Sequence, residues 1–325
     1  KQVKFLSADP PAASGEGQVW YNSTSQTFKT SVNLGGTWAS APTLGQARYQ
    51  LGGAGSSSTS AVVFGGMKSG TAGYANTEDY DGSSWTAGGA LPSQVRGMAN
   101  AGTQTAALSG AGFIGAPPPY VTNLTNTYDG STWTGGGVTN KARGFNGGCG
   151  TETAALCIGG ADDLPWMNTL ANVEQYNGTA WTALPALPVI QANNRTAGTT
   201  SAAISVAGSS VPAGSAVPLS YDGSSWTAAP ALNVLRQSGA ISGIQTSALF
   251  FAGTLPPGPQ SDATEFYDGT SWATDATLGN VIFNNASAIS APSSNTISAG
   301  GGAPATNRSE VYSKPTLVTQ TVTTS

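Results

Sequence analysis

Short apolar stretches alternate with turns rich in Gly, Ser and Thr along most of the chain, and no segment has the 3.6-residue period of an amphipathic helix. Six of these stretches recur at a regular interval, at residues 61–66, 106–112, 154–160, 202–208, 248–253 and 296–301. Apolar runs of this length between turn residues are typical of β-strands. The pattern therefore predicts an all-β protein with many short strands.

Tryptophan marks the same interval. Six tryptophans lie 45 to 48 residues apart, at Trp38, Trp85, Trp133, Trp181, Trp226 and Trp272. Five of them follow a tyrosine by five residues, in the sequences YDGSSW, YDGSTW, YNGTAW, YDGSSW and YDGTSW. Asp-Gly or Asn-Gly between two short aromatic segments is a strong hairpin signal. Tyr and Trp are therefore expected on adjacent antiparallel strands, with Asp81, Asp129, Asp222 and Asp268 capping the turns.

Each repeat thus predicts four short strands, which is the composition of one blade of a β-propeller. The two ends of the repeat region complement each other. Trp38 has no tyrosine five residues before it, and Tyr312 has no tryptophan five residues after it. We therefore expect the strand that holds Trp38 to complete the last blade, residues 281–313, and to close a six-bladed propeller without free sheet edges.

The predicted propeller occupies residues 36–313. Residues 1–35 lie outside the repeat and are expected to form a linker and a β-hairpin around residues 22–26, which could dock on another protein. Residues 314–325 have the composition of a strand and form a C-terminal tail.

The order of an Arg-led strand, an apolar strand that ends in Gly-Gly, a Tyr strand and a Trp strand resembles the kelch repeat. The resemblance is degenerate, because Gly-Gly occurs in three repeats only, at residues 65–66, 159–160 and 300–301. It implies a propeller of kelch-like blades. Galactose oxidase carries such repeats, but its copper site needs histidines and this chain has none, so its activity is not carried over.

The amino-acid sequence of the repeats also resembles that of kelch-like structural proteins of tailed, especially marine, bacteriophages. Residues 15–29, GEGQVWYNSTSQTFK, are similar to a segment of phage tail and fibre proteins, and residues 318–325, VTQTVTTS, are similar to the ends of those repeat proteins. The resemblance implies a non-enzymatic virion protein, either a tail fibre or appendage or a capsid decoration. Its partners would be other virion proteins and a host-surface glycan or protein.

Composition narrows the chemistry. The 325 residues contain no His, 12 Lys and Arg, 16 Asp and Glu, and a net charge of −4. Catalytic triads and most zinc or copper sites need an imidazole, so neither a metal nor another cofactor is expected. The acidic balance argues against nucleic-acid binding. No run of about 18 apolar residues occurs, so no membrane insertion is expected. Cys149 and Cys157 are interpreted as buried thiols.

Charged residues recur at repeat positions. Arginine opens the first strand of five repeats, at Arg48, Arg96, Arg143, Arg195 and Arg236, and glutamate precedes the tyrosine by two residues at Glu78, Glu174, Glu265 and Glu310. The recurrence favours structural Arg–Glu or Arg–carbonyl ties between strands. A ring of arginines that binds an anion is the alternative.

The long loops between the second and third strands carry bulky side chains outside the repeat pattern, at Tyr74, Phe113, Tyr120, Leu164, Trp166 and Met167. Such side chains on a rigid scaffold suit the binding of a sugar or a protein. Alternatively, they fold back to cover the propeller.

Two other functions stay open: a secreted or cell-surface propeller that binds glycans, and a hydrolase that uses loop carboxylates. A glycosidase needs two carboxylates on either side of a sugar, and no pair of acids outside the repeat positions is evident except Asp162 and Asp163. Those two are interpreted as part of a solvated loop.

Overall fold

The computed structural model describes residues 4–9, 19–32, 35–69, 73–115, 120–162, 168–208, 217–256, 258–302, 304–315 and 318–322. Within this part of the chain the regular elements are strands, which form seven four-stranded sheets. The expected all-β class is confirmed. The chain divides into two compact units: Trp38–Tyr312, and a smaller unit made of Lys1–Thr37 and Ser313–Ser325.

Six sheets follow the sequence repeat. The first four strands of the chain are β1 (Lys4–Leu6), β2 (Val19–Asn22), β3 (Thr27–Val32) and β4 (Thr37–Ala41). Sheet 1 contains β5 (Gly52–Ser57), β6 (Ser60–Phe64), β7 (Thr77–Tyr80) and β8 (Trp85–Ala87). Sheet 2 contains β9 (Ala99–Thr103), β10 (Ala106–Phe113), β11 (Val121–Tyr128) and β12 (Trp133–Gly135). Sheet 3 contains β13 (Gly147–Gly150), β14 (Ala155–Ile158), β15 (Val173–Tyr176) and β16 (Trp181–Leu184).

The remaining sheets have the same strand order. Sheet 4 contains β17 (Arg195–Gly198), β18 (Ala203–Val206), β19 (Leu219–Tyr221) and β20 (Trp226–Ala228). Sheet 5 contains β21 (Ala240–Ile244), β22 (Ser247–Phe251), β23 (Thr264–Tyr267) and β24 (Trp272–Asp275). Sheet 6 contains β25 (Ala286–Ser287), β26 (Asn295–Ala299), β27 (Ser309–Ser313) and β4. The seventh, which we call the terminal sheet, contains β1, β2, β3 and β28 (Val318–Thr321).

The Tyr–Trp hairpins form as the sequence predicts. In sheets 1 to 5 each tyrosine pairs directly with its tryptophan, and their ring centroids lie 4.8 to 5.1 Å apart. The turn aspartates act as expected: Asp81 Oδ1 accepts hydrogen bonds from the N–H groups of Ser83 and Ser84 at 2.8 and 2.7 Å. These bonds stabilise the carboxylate and lower the pKa of Asp81 to about 2. Asn177 accepts the equivalent bonds in sheet 3.

The strand that holds Trp38 joins the last sheet, as its missing tyrosine predicts. Strand β4 is hydrogen-bonded to β27 although more than 260 residues separate them in the chain. The Trp38 ring lies 5.1 Å from that of Tyr312 and 4.8 Å from that of Phe251. The pair therefore replaces a hairpin that the chain cannot make locally.

The predicted number of six sheets is wrong, because the segments outside the repeat build a seventh. In the terminal sheet, β1 is parallel to β2, whereas β2–β3 and β3–β28 are antiparallel. The sequence indicates the β2–β3 hairpin, but a two-stranded hairpin is marginally stable alone and is completed here by strands from both chain ends. The expected loss of sheet edges is not observed either, since each of the seven sheets keeps two edge strands.

The first strands of sheets 1 to 6 contact one another in sequence order, and β25 also contacts β5. Two residues before each first strand lies one member of a set that we call the inner row: Gln50, Gly97, Phe145, Asn193, Ser238 and Asn284. All six have a φ between 54° and 59°. Main-chain N–H to O bonds of 2.6 to 2.9 Å link them between sheets, from 193 to 145, 145 to 97, 97 to 50, 50 to 284 and 284 to 238.

A second row of main-chain bonds lies at the ends of the second strands. The N–H of a glycine donates to a carbonyl just ahead of the next inner-row residue at 2.7 to 2.9 Å, in the pairs 66 to 95, 112 to 143, 160 to 191, 253 to 282 and 301 to 48. The residue before this glycine is Ala in three repeats and Gly in the other three, always with a φ between 55° and 64°. The second position alone is always glycine, which accounts for the degenerate Gly-Gly pattern.

Tryptophan side chains add a third link between neighbouring sheets. Four indole N–H groups donate to a hydroxyl three residues before the tyrosine of the preceding sheet, at 2.9 to 3.3 Å: Trp38 to Thr264, Trp85 to Ser309, Trp133 to Thr77 and Trp181 to Thr125. The expected placement of Tyr and Trp between neighbouring sheets is therefore observed for these residues. Trp226 differs, because Val173 occupies the corresponding position and the buried indole nitrogen has no partner.

Replacing Val173 with threonine is expected to raise the free energy of unfolding by about 1 kcal/mol, because the hydroxyl supplies the acceptor that four other repeats already have. Chemical denaturation monitored by tryptophan fluorescence measures the change. Val173→Ala is the matched control, since it removes methyl groups without adding an acceptor and should destabilise. If Val173→Thr is as destabilising as Val173→Ala, the missing acceptor for the Trp226 indole does not lower the free energy of unfolding.

Candidate functional site

Three of the five repeat arginines form buried ion pairs inside their own sheets. Nη2 of Arg48, Arg143 and Arg236 lies 2.7, 2.9 and 2.8 Å from a carboxylate oxygen of Glu78, Glu174 and Glu265, respectively. The three guanidinium groups have no exposed surface. The second oxygen of each glutamate accepts a main-chain N–H from the loop that precedes the sheet. These six side chains therefore tie strands and loops together, as the sequence predicts.

Arg96 and Arg195 do not belong to this set, and the sequence-based grouping of five equivalent arginines was wrong. The paired arginines stand two residues before the inner row, where sheets 2 and 4 have Val95 and Gln191. Arg96 lies one residue before the inner row and Arg195 two residues after it. The intervals between successive arginines are close to the repeat period, so these small displacements of Arg96 and Arg195 relative to the strands are not evident from the sequence.

The two displaced arginines have neutral partners. Arg96 donates to Gln50 Oε1 at 2.7 Å, and its guanidinium carbon lies 4.9 Å from the centre of the Phe113 ring. Burial lowers the pKa of Arg96. Arg195 reaches from sheet 4 to sheets 5 and 6, with Nε 2.6 Å from Gly239 O and Nη2 3.4 Å from Asn284 Oδ1.

Glu310 is buried in sheet 6, where Ile282 occupies the place of the paired arginine. Its oxygens accept hydrogen bonds from Gly279 N at 2.7 Å and Asn280 Nδ2 at 3.0 Å. Glu310 therefore keeps the loop contact of the other glutamates, with an amide in place of the guanidinium.

The predicted binding residues on the long loops have different surroundings. Phe113 is buried, 4.5 Å from the Phe145 ring, so its expected exposure is wrong: β10 extends through residue 113 and turns this side chain into the interior. Tyr74 and Tyr120 are half-buried, and Tyr74 forms an isolated bridge with Val95. Leu164, Trp166 and Met167, together with Asp163, lie outside the described residues.

Other apolar side chains are exposed near these loops, and the sequence analysis missed them. Ile190, Leu235 and Val281 each stand three residues before the inner row of sheets 4, 5 and 6, and each is at least 44% exposed. Val281 also lines an open groove with Phe283 and the loop side chains Thr254, Pro259 and Gln260. Their equivalents in sheets 1 to 3 are Ala47, Gln94 and Ala142, so the apolar surface covers half of the repeats.

Two half-buried carboxylates contact tyrosines of neighbouring sheets. Tyr128 Oη donates to Asp79 Oδ2 at 3.0 Å, and Tyr312 Oη donates to Asp275 Oδ2 at 2.9 Å. Burial raises the pKa of Asp79, and burial together with this bond raises the pKa of Tyr128 to about 12. Each of these acids thus has a tyrosine as its partner rather than a second carboxylate, and the two pairs lie in different sheets.

The two cysteines are buried free thiols, as expected. Burial raises the pKa of Cys149 to about 12. Cys157 lies opposite Gly148 in the β13–β14 pair, and its sulfur accepts hydrogen bonds from Asn146 and Arg143. Among the described residues, no group of three or more Cys, Asp or Glu side chains could hold a metal ion.

The first strands enclose a narrow space that we call the inner cavity, with a volume of about 30 Å³. Side chains and glycines from all six repeat sheets line it, and Arg195 is the ionisable group among those described. Small residues are needed here: a Cβ on Gly53 would lie 2.5 Å from Ser287 O, and one on Gly148 would lie 2.5 Å from Asn100 N. Ile289 also lines this space, and Ser290 beside it donates to Gly150 O of sheet 3 at 3.4 Å.

The terminal sheet has two chemically different faces. On one, Asp9 accepts hydrogen bonds from Lys29, Asn22 and Trp20 at 2.9, 2.6 and 3.2 Å, and these bonds, that of Lys29 first, lower the pKa of Asp9. On the other, the Tyr21 ring lies 5.5 Å from Phe5 and 5.2 Å from Phe28. Phe5 is 74% exposed and Phe28 46% exposed, so this aromatic cluster presents accessible apolar surface on the terminal sheet.

No protein-family model matches the chain, and no curated protein is similar to it. Among the described residues there is no helix that could cross a membrane.

Proposed function

We propose that this chain is a non-enzymatic structural protein of a tailed-phage particle, in which a kelch-like propeller is displayed and the terminal sheet provides attachment. The observation that carries this proposal is the exposed aromatic cluster of Phe5, Tyr21 and Phe28 on a sheet that both chain ends build. Contiguous exposed aromatic surface is a feature of protein-binding sites.

The propeller is supported by the cyclic order of the contacts. The N–H of Gly301 in sheet 6 donates to Arg48 O at the start of sheet 1. The N–H of Gln50, ahead of sheet 1, donates in return to Asn284 O, ahead of sheet 6. Trp85 of sheet 1 reaches Ser309 of sheet 6 through its indole N–H. Sheets at the two ends of the repeat region are therefore linked by the same three kinds of bond as consecutive sheets, which supports a propeller-like arrangement.

A structural role is supported by how the charged groups are used. Arg48, Arg143 and Arg236 neutralise glutamates inside the sheets, and the turn aspartates bind their own backbones. The surface is therefore formed mainly by neutral side chains, which suits a stable domain displayed on a particle. On a particle, the partners of the terminal sheet would be other virion proteins, and the loop surface would meet the host.

The test is particle incorporation. Virions purified from the phage that encodes this sequence are expected to contain the chain, detected by mass spectrometry. A Phe5→Ser, Phe28→Ser double variant is expected to fold and to be lost from the particles by tenfold or more. The matched control is Val138→Ser, which removes a side chain that is 48% exposed from the unit Trp38–Tyr312. This variant chain should be incorporated normally. Wild-type chain missing from washed virions contradicts the proposal.

Glycan binding by the loop surface is a second candidate function, favoured by the groove beside Phe283. An aromatic ring with Thr254 and Gln260 along the same groove offers an apolar face and polar groups, the combination that ligand sites use for orientation. A glycan array with the full chain tests it, with Phe283→Ala expected to abolish any signal and Val138→Ser to preserve it. A signal that Phe283→Ala leaves unchanged excludes this groove as the site.

A further inference from the structure

The hairpin turn of sheet 3 differs chemically from the turns of sheets 1, 2, 4 and 5. It has the amide of Asn177 where the others have the carboxylates of Asp81, Asp129, Asp222 and Asp268. Asn177 is exposed and is followed by Gly178, which has a φ of 93°. The side-chain amide of an asparagine can react with the backbone nitrogen of the next residue, and a glycine there has no Cβ to hinder the approach. This turn therefore places an electrophile and a nucleophile in adjacent residues that water reaches.

Three donors surround the side-chain oxygen of Asn177. Its Oδ1 accepts hydrogen bonds from Thr179 N at 3.0 Å, Ala180 N at 2.9 Å and Thr179 Oγ1 at 2.9 Å. These bonds hold the side-chain carbonyl over the turn that contains Gly178. They also stabilise the negative charge that develops on Oδ1 when a nucleophile adds to Cγ, as donors do for an oxyanion. The N–H of Gly178 makes no main-chain hydrogen bond to a described residue, so this nitrogen is not held elsewhere.

We propose that Asn177 is a site of spontaneous deamidation, and that its aspartate product is accommodated as the turn residue that four other repeats already have. The Gly178 nitrogen gives its proton to hydroxide and attacks Cγ of Asn177. The bond from Cγ to the amide nitrogen breaks, and that nitrogen leaves as ammonia with a proton from water. Water then opens the succinimide ring. Its attack at Cγ gives aspartate, and its attack at the main-chain carbonyl gives isoaspartate, whose backbone is one carbon longer.

The turn aspartates are poor sites for the same reaction. Hydrogen bonds from the Ser and Thr residues that follow them lower the pKa of Asp81 and of Asp268 to about 2, so both groups are ionised at neutral pH. An ionised carboxylate is a weaker electrophile than a neutral amide, because its negative charge opposes the addition of a nucleophile. Conversion of Asn177 to aspartate therefore gives a turn that resists further reaction.

A second Asn-Gly sequence, Asn146 with Gly147, lacks these features. Asn146 is 3% exposed, and its Nδ2 donates to Gly110 O at 3.3 Å and to Cys157 Sγ at 3.0 Å. Gly147 N donates to Asn194 Oδ1 at 3.1 Å, and Asn146 Oδ1 has no donor. The nitrogen that would attack is thus already bonded, and water reaches this site only when the strand opens. The folded chain is therefore expected to distinguish two identical dipeptides.

Peptide mapping by mass spectrometry tests this distinction. In the folded full chain at pH 8 and 37 °C, Asn177 is expected to convert to aspartate and isoaspartate at least about tenfold faster than Asn146, which must wait for local opening. In concentrated urea, where neither site keeps its native surroundings, the two rates should converge. Equal rates in the folded chain, or an unmodified Asn177 in the time that converts the chain in urea, would overturn the proposal. The wild-type chain is sufficient, so this measurement does not depend on any variant folding.

The variant Asn177→Asp tests whether the product is accommodated. It is expected to co-elute on ion exchange with an acidic species from the aged wild type, and to melt at the wild-type temperature or up to about 2 °C above it, because a charged acceptor strengthens the turn bonds. Asn177→Ala is the matched control, since it removes the acceptor, and a melting temperature about 2–4 °C lower is expected. An Asn177→Asp variant that melts as low as Asn177→Ala would contradict an accommodated aspartate.

Discussion

Substituting Arg236 with valine is expected to lower the free energy of unfolding by about 3–5 kcal/mol, because it leaves the carboxylate of Glu265 buried without its cation. The Arg236 side chain has no exposed surface and Glu265 is 1% exposed. Arg236 Nη1 also donates to the carbonyls of Ala252 and Ala263, and both of these hydrogen bonds are lost. Equilibrium urea denaturation at pH 7 measures the loss.

Sheet 2 supplies the matched control for this experiment. It has Val95 where sheet 5 has Arg236, and Asn126 where sheet 5 has Glu265. The double variant Arg236→Val, Glu265→Asn copies that natural pair and removes the unpaired charge. It is expected to recover about 1–3 kcal/mol relative to Arg236→Val alone. If the double variant is less stable than the single variant, burial of an unpaired carboxylate is not the main cost.

Replacing Gly301 with alanine is expected to cost about 2–4 kcal/mol, because the backbone there has a φ of 104° and no room for a side chain. A Cβ would lie 2.9 Å from Phe283 O and 2.9 Å from Asn285 Cβ. The N–H of this residue donates to Arg48 O and so links sheet 6 to sheet 1. The strain therefore falls on a bond between the two ends of the repeat region.

Gly300→Ala is the control for Gly301→Ala. The position has a φ of 64°, and alanine is the natural residue at the equivalent Ala111, Ala207 and Ala252. A Cβ at Gly300 would lie 2.7 Å from Arg48 O, but alanine at the three equivalent positions indicates that a small shift relieves this contact, so a smaller loss of about 1–2 kcal/mol is expected there. Thermal and urea denaturation of both variants give the comparison. A Gly301→Ala variant as stable as Gly300→Ala would mean that the second glycine is not a steric requirement.

These substitutions separate architecture from function. The sheets are stabilised by the ion pairs, by the turn aspartates and by the glycine that ends each Gly-Gly or Ala-Gly pair. Substituting these residues should therefore change stability before it changes any binding function. The surfaces available for partners are the aromatic cluster of the terminal sheet and the groove at Phe283. Neither is built from the repeat residues that the sequence makes conspicuous, because a residue that recurs in every sheet meets the same structural demand each time.

The repeat pattern allowed much of the fold to be predicted. The Tyr–Asp-Gly–Trp sequences determine hairpins through local turn geometry, so the pairing of Tyr80 with Trp85 and its equivalents follows from spacing. The pairing of β4 with β27 was also predictable, because one incomplete repeat lacked the tyrosine strand and the other lacked the tryptophan strand. The terminal sheet was not, since the alignment of β28 with β3 leaves no local signal.

The candidate sites were less predictable. Phe113 interrupts the repeat pattern and was expected to be exposed, but the longer β10 places it against Phe145. Arg96 and Arg195 shared a residue type with the paired arginines while standing at other positions of the register. The exposed side chains of Ile190, Leu235 and Val281 could have been found by aligning the repeats, because they precede the inner row by the same three residues.

The sequence by itself determined the strands, their hairpins and the residues that each repeat shares, because turn chemistry and the alternation of apolar and polar positions act over a few neighbours. Only the tertiary structure decided which charges are compensated, which side chains line the inner cavity and that the chain ends form one sheet. Those properties depend on contacts between segments tens to hundreds of residues apart, and a shift of one residue in register sends a side chain to a different environment.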